Sequence, residues 1–197
     1  MNKKKGIFIS FEGPEASGKS SQILLLQKYL TTKKISFITT REPGGTKLAE
    51  SLRNLILKIK SDINIDEEIL MLMAARSHHI NNVIKPALDK GSLVISDRFA
   101  DSTFVYQGYV NNFGIQKAKS LHKNILNNFL PHKTFLFNLS SKIIARLKNR
   151  KSKNKYDKLE RNFHDQVNRG YELISKNKRF IKIDASKSIT SINKKII

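Results

Sequence analysis

The sequence predicts a three-layer α/β fold: a five-stranded parallel sheet covered by helices on both faces. Three observations carry this. Short β-rich runs alternate with longer helical patterns along the whole chain. Residues 93–97 form a continuous apolar run ending in an acid, as strands buried on both faces do. Residues 6–12, an alternating β-branched and aromatic run, lead through Gly13, Pro14, Glu15, Ala16, Ser17, Gly18, Lys19 and Ser20 into a helical stretch at 21–30 with an apolar face.

That junction reads G-x-x-x-x-G-K-S, a phosphate-binding loop, and the strand–loop–helix context is what the motif requires. Gly13 and Gly18 let the backbone approach a phosphate and take conformations closed to other residues. Successive N–H groups and the helix N-terminus form an anion cradle. Lys19 can reach β- and γ-phosphates, and the Ser20 hydroxyl is placed for Mg²⁺. The loop implies binding of a nucleoside triphosphate with Mg²⁺, and does not say where the γ-phosphate goes.

The remaining elements follow in order. A second strand covers 35–40 and ends at Arg41-Glu42-Pro43-Gly44-Gly45-Thr46, where proline and two glycines stop regular structure. A helix at 47–58 places Leu48, Leu52, Leu55 and Ile56 on one face. The next runs over 65–76 with Asp66 near its cap. Residues 78–89 continue helically, with Pro86 as a kink or restart and Gly91 as the stop. The third strand is 93–97. A short helix follows at 103–108 and a longer one at 115–129. Pro131 breaks the chain before a fourth strand at 134–139. A helix at 143–149 precedes a basic, polar stretch at 151–155. A helix at 159–176, a fifth strand at 180–184 and a short basic helix complete the chain.

The whole chain, residues 1–197, reads as one domain with no repeat and no Pro-, Gly- or Ser-rich linker. It has no cysteine, which excludes disulfides and thiolate metal sites and fits the cytoplasm. No apolar run has the length of a membrane span, so no membrane partner is expected. Net charge is +21. The lysines are spread along the chain, with a local cluster at 146–158, and no RNA-binding signature or basic zipper is visible. The charge is therefore assigned to composition and polyanionic ligands rather than to a specific nucleic acid. His78, His79, His122, His132 and His164 show no ligand spacing and are read as surface or packing residues.

In a parallel sheet the ligand site lies beyond the carboxyl ends of the strands. There the sequence places the phosphate loop, Arg41, Asp97 and Arg98, and past the fourth strand the basic 146–158 segment. Asp97 sits where an acid could hold Mg²⁺ directly or through water. Cations gathered beside a triphosphate loop suit phosphoryl transfer between two anionic partners, and arginine forks bind phosphate oxygens bidentately.

The stretches 13–20, 41–46 (R-E-P-G-G-T), Ala74-Ala75-Arg76 and 97–108 (D-R-F-x-x-S-x-x-x-Y-Q-G) occur in the order and spacing of bacterial thymidylate kinases, and the chain resembles that family over nearly its whole length. The resemblance implies a nucleoside monophosphate kinase-like fold with a lid at 146–158, and transfer of the ATP γ-phosphate to dTMP. It implies that Lys19 holds ATP, Arg41 binds the dTMP phosphate and Arg98 bridges donor and acceptor phosphates. Arg76 faces the thymine, and Thr103 and Gln107 bond its edge. Tyr106 packs where a ribose 2′-hydroxyl would sit, and Glu15 lies near the sugar 3′-hydroxyl and the metal. The loop has no arginine, so the chain resembles members whose lid supplies one, here Arg146 or Arg150. It departs from the family at Leu72, where many members carry a stacking Phe, and at Lys158, where they carry Arg. A homodimer is implied, with helices near 48–55 and 69–84 as candidate contacts. The alternatives are a P-loop nucleotide or nucleoside kinase with another acceptor, and a nucleic-acid-stimulated NTPase.

Overall fold

The computed structural model describes residues 5–58, 63–138 and 161–197. Five strands form one sheet in the order β2-β3-β1-β4-β5. They are β1 (Phe8–Glu12), β2 (Phe37–Arg41), β3 (Leu93–Asp97), β4 (Lys133–Asn138) and β5 (Phe180–Asp184). Every pairing is parallel: Phe8 stands opposite Val94, Phe11 opposite Phe135, Arg41 opposite Asp97 and Asn138 opposite Asp184.

Alternation along the central strands builds two cores. Phe8, Val94 and Leu136 join one cluster, while Ile9, Phe11, Ile95, Phe135 and Phe137 join the other. The second face is covered by α1 (Lys19–Thr32), through Ile23, Leu26 and Leu30, and by α8 (Ile189–Ile196), through Ile192. The first face is covered by α3 (Ile65–His79), α5 (Ala100–Val105), α6 (Ile115–Leu126) and α7 (Arg161–Ile174). Helix α2 (Lys47–Lys58) packs on α3. This is the predicted fold, and α2, β3 and β5 have the expected bounds.

Three local expectations gain detail. The cap of α3 is Asn64, with Asp66 near it as expected: the Asn64 side chain accepts the Glu67 N–H at 2.9 Å, and the Glu67 carboxylate accepts the Asn64 N–H at 2.8 Å. This reciprocal box satisfies two donors at the helix start, leaving Asp66 free to sit in the first turn. Residues 78–89 continue helically as expected, with the restart at Pro86: a π turn at Ile80–Ile84 leads into α4 (Lys85–Asp89). Pro86 falls in the first turn of α4, where its missing N–H costs nothing. The short helix expected at 103–108 begins earlier, at Ala100, and passes into a second π turn, Tyr106–Val110. The end of the expected fourth strand (Leu139), the helix at 143–149 and the lid at 146–158 lie outside the described residues.

Candidate active site

A cleft of about 500 Å³ opens beyond the carboxyl ends of β1, β2 and β3. Its lining unites most of the expected site residues. Glu15, Ala16, Ser17, Gly18, Lys19 and Ser20 line it from the loop, and Arg41, Leu72, Arg76, Arg98, Thr103, Tyr106 and Gln107 line the rest, with Asp97 beside them. Gly13 and Pro14 form the root of the loop. Arg146 and Arg150 lie outside the described residues.

The loop wraps the N-terminus of α1. Gly13 has φ +133°, and a Cβ there would stand 2.5 Å from the Phe137 carbonyl oxygen on β4. Both the conformation and the contact therefore require glycine. Gly18, at φ +92°, turns the chain into α1. The Lys19 ammonium is buried and donates to the carbonyls of Gly13 at 2.9 Å and Pro14 at 2.7 Å. Burial, followed by repulsion from Arg98, lowers its pKa to about 8. Such an ammonium gains when an anion arrives.

Ser20 is exposed at the start of α1, and Asp97 is half-buried at the end of β3. A hydroxyl and a carboxylate facing one cleft beside a phosphate cradle fit Mg²⁺, which prefers few protein oxygens together with phosphate and water oxygens. Asp97 does not take up Arg98 as an ion partner. Arg98 turns instead to Glu15 in the loop, at 2.6 Å.

Arg98 is the pivot of the cleft. It follows β3 with φ +68°, in the left-handed region. Its N–H bonds the Phe11 carbonyl at 2.9 Å, and its own carbonyl accepts the Ser96 hydroxyl at 2.6 Å. These bonds hold a conformation that a side chain-bearing residue takes at a cost. The guanidinium donates to Ser102 at 3.1 Å and Tyr171 at 3.5 Å, and lies 5.2 Å from the Tyr106 ring centre. Arg98 is also the first cause of the Glu15 pKa falling to about 2, against the opposing effect of burial.

The floor of the acceptor side is a buried polar network. Arg76 and Glu42 pair at 2.6 Å, each side chain 3% exposed. Arg76 also donates to Thr103 at 2.8 Å and lies 5.3 Å from the Phe99 ring centre. His79 joins Glu42 at 2.9 Å and Thr40 at 2.7 Å, so it is an interior residue of the network and not a surface one. Gln107 donates to Glu68 at 2.7 Å. Leu72 lies on α3 one turn before Arg76, buried at the cleft wall beside Ile56. Arg41, at the rim, forks onto Glu50 at 3.2 and 2.9 Å, while Glu50 also accepts the Gly45 N–H at 3.0 Å.

Several residues of this network were missed in the sequence. Glu12 is fully buried and accepts the Phe99 N–H at 2.7 Å, the Ser102 hydroxyl at 2.6 Å and the Tyr171 hydroxyl at 2.8 Å. Burial first, then the nearby Asp101 charge, push its pKa to about 7. Arg53, from α2, lines the cleft and donates to the Pro43 carbonyl at 2.8 Å. Its signal was faint, a cation at the edge of the expected apolar stripe of α2, one turn before Ile56.

A parallel sheet with a phosphate loop at its central strand, and an arginine-lined pocket across the same cleft, defines the P-loop nucleoside monophosphate kinase fold. Comparison with known proteins carries this further. The thymidylate kinase family model matches residues 11–196. Relatives include thymidylate kinases of Mycoplasma capricolum, 40% identical over 94% of this chain and 90% of that one, and of Ruthia magnifica, 41% identical over 94% and 93%. The crystal structure of thymidylate kinase from Ehrlichia chaffeensis superposes with a TM-score of 0.75 at 30% identity, covering 98% of this chain and 97% of that one. The chain belongs to the thymidylate kinase family.

Proposed function

We infer that the chain transfers the γ-phosphate of ATP to dTMP, giving dTDP and ADP, a step that supplies dTTP synthesis. The observation that carries this is the single cleft in which a phosphate loop and an arginine-lined acceptor pocket face each other, in a chain of this family.

An oxygen of the dTMP 5′-phosphate attacks the γ-phosphorus, and the bond to the β–γ bridging oxygen breaks to leave ADP. The acceptor phosphate is already ionised, so no general base is needed. The work is positioning and charge stabilisation. Lys19 and the backbone N–H groups of the loop, Pro14 excepted, hold the ATP phosphates. Arg41 binds the acceptor phosphate, and Arg98 spans donor and acceptor oxygens, for which its place between the loop and Ser102 is suited. Ser20 and Asp97 would hold Mg²⁺, which would supply charge neutralisation at the phosphates. Arg146 or Arg150 brings a further cation from the 146–158 segment.

Arg76, already fixed by Glu42 and Thr103, presents a pre-ordered donor at the thymine end, with Gln107 beside it and Leu72 and Ile56 as an aliphatic wall. Tyr106 covers the sugar where a 2′-hydroxyl would project, and Glu15 lies near the 3′-hydroxyl. The protein is a homodimer in this reading. Leu48, Leu55 and Leu70 on α2 and α3 are 47%, 39% and 55% exposed, an apolar supply for that interface. Among the described residues no helix is long and apolar enough to cross a membrane, and the absence of cysteine accords with a cytoplasmic enzyme.

The test is chromatographic separation of nucleotides after incubation with ATP, Mg²⁺ and dTMP. Equal amounts of dTDP and ADP are expected; ADP without dTDP overturns the reading.

A further inference from the structure

We propose that Glu12 is a positioning residue for Arg98: one buried carboxylate clamps the 97–102 turn and helix α7 together, so that the arginine meets the phosphates in a single orientation. The inference rests on the phosphoryl-transfer reading above.

Glu12 ends β1, one residue before the phosphate loop, and is fully buried. Its Oε1 accepts the Phe99 N–H at 2.7 Å, which fixes the backbone directly after Arg98. Its Oε2 accepts the hydroxyls of Ser102, from α5, at 2.6 Å and of Tyr171, from α7, at 2.8 Å. The same two hydroxyls contact the Arg98 guanidinium, at 3.1 and 3.5 Å. They also lie 3.1 Å from each other. Glu12 thus orients both the backbone that carries Arg98 and the hydroxyls its fork rests on. A buried charge is costly unless fully hydrogen-bonded, and a merely packed interior would be served as well by an uncharged residue. Here three donors from three segments converge on one carboxylate, and each segment borders Arg98. The charged or titratable groups facing it are Arg98 from the turn, Asp101 from α5, Tyr106 from the π turn after α5, Tyr171 from α7 and Lys19 from α1.

The test compares wild type with Glu12→Gln and Tyr171→Phe in the steady-state dTMP reaction, alongside thermal unfolding at pH 8. Glutamine keeps the shape and can still bond all three partners, but cannot hold both hydroxyls as donors. The expected result is a fall in kcat of about 10- to 100-fold, the scale of a sub-ångström misplacement of a reacting group. KM for ATP stays within about threefold, and Tm is unchanged or raised, because a buried charge has been removed. Tyr171→Phe gives a smaller loss in the same parameter. Wild-type kcat in Glu12→Gln overturns the proposal. So does a kcat loss accompanied by a lowered Tm, which marks general loosening. Absence of dTMP turnover in the wild type would instead remove the functional reading on which the proposal stands.

Discussion

Arg98 and Glu15 meet at 2.6 Å across the mouth of the cleft, one from the turn after β3 and the other from the phosphate loop. The pair ties the acceptor side of the site to the donor side. Loop and turn are thereby held in register before any nucleotide is considered, which is the meaning of preorganisation here. Replacing Arg98 by Ala should lower kcat about 10³-fold or more, the scale of arginines that stabilise transferring phosphoryl groups. Arg98→Lys should recover little of it, because a point charge cannot span two sets of oxygens. Steady-state kinetics at saturating ATP and dTMP measures both.

The same pair makes a pH prediction. With its pKa at about 2, Glu15 is ionised throughout the range in which the protein works. A carboxyl whose folded pKa lies below its unfolded value stabilises the fold above the unfolded pKa. That stabilisation is lost as pH falls from about 4.5 toward 2. Glu15→Gln should therefore leave the pH profile of activity between 5 and 9 unaltered in shape while lowering its height. A changed acidic limb in that variant would contradict the assignment.

Arg76 and Glu42 are both buried, so breaking the pair by halves should be costly. Arg76→Met leaves the Glu42 carboxylate with His79 alone, and is expected to destabilise by about 3–5 kcal/mol in urea unfolding. Arg76→Met with Glu42→Gln should regain part of that loss, since no uncompensated charge remains. Equal destabilisation of single and double variants would show that packing, not charge, sets the cost.

Lys19 offers a binding test. Its folded pKa of about 8 lies below the ordinary lysine value, so in the free protein it sheds its proton above that pH. ATP phosphates favour the charged form, so complexation near pH 8.5 should take up a proton and affinity should weaken as pH rises through 8–9. Titration calorimetry in two buffers of different ionisation enthalpy measures the uptake. The sign for stability is opposite: a lysine pKa lowered on folding adds stability that is present above 10.5 and lost as pH falls through about 8.

Gly13→Ala should abolish ATP binding or unfold the loop, because its φ of +133° and the Phe137 carbonyl 2.5 Å from a Cβ leave no room to adjust. Fluorescent ATP-analogue binding separates these outcomes from a harmless substitution.

Much of this was legible from local pattern. The phosphate loop announces itself, and the apolar runs of β3 and β5 fix those strands to the residue. What failed was whatever depends on distant partners. Glu12 reads as the last residue of an apolar strand; its role appears only when Tyr171, 159 positions away, folds against it. His79 reads as a surface or packing residue, and only the fold, bringing Thr40 from β2 and Glu42 from the turn after it, shows which. The two π turns alter a helical period by one residue, below what apolar spacing resolves. The Asn64 cap was available in the sequence, since N-x-x-E at 64–67 is a capping signature; the nearer acid at Asp66 obscured it.

The most direct measurement is ADP release in a coupled assay with ATP and Mg²⁺, comparing dTMP with dUMP, dCMP, dGMP, UMP and no acceptor. The account predicts strong turnover on dTMP, weaker turnover on dUMP, and little on the others, with Leu72 serving as the cover of the thymine face. Turnover on another monophosphate in preference to dTMP would contradict the acceptor assignment and point to Leu72 and Arg76 as its origin. ADP release without any acceptor would contradict the kinase reading itself and direct attention to the +21 charge.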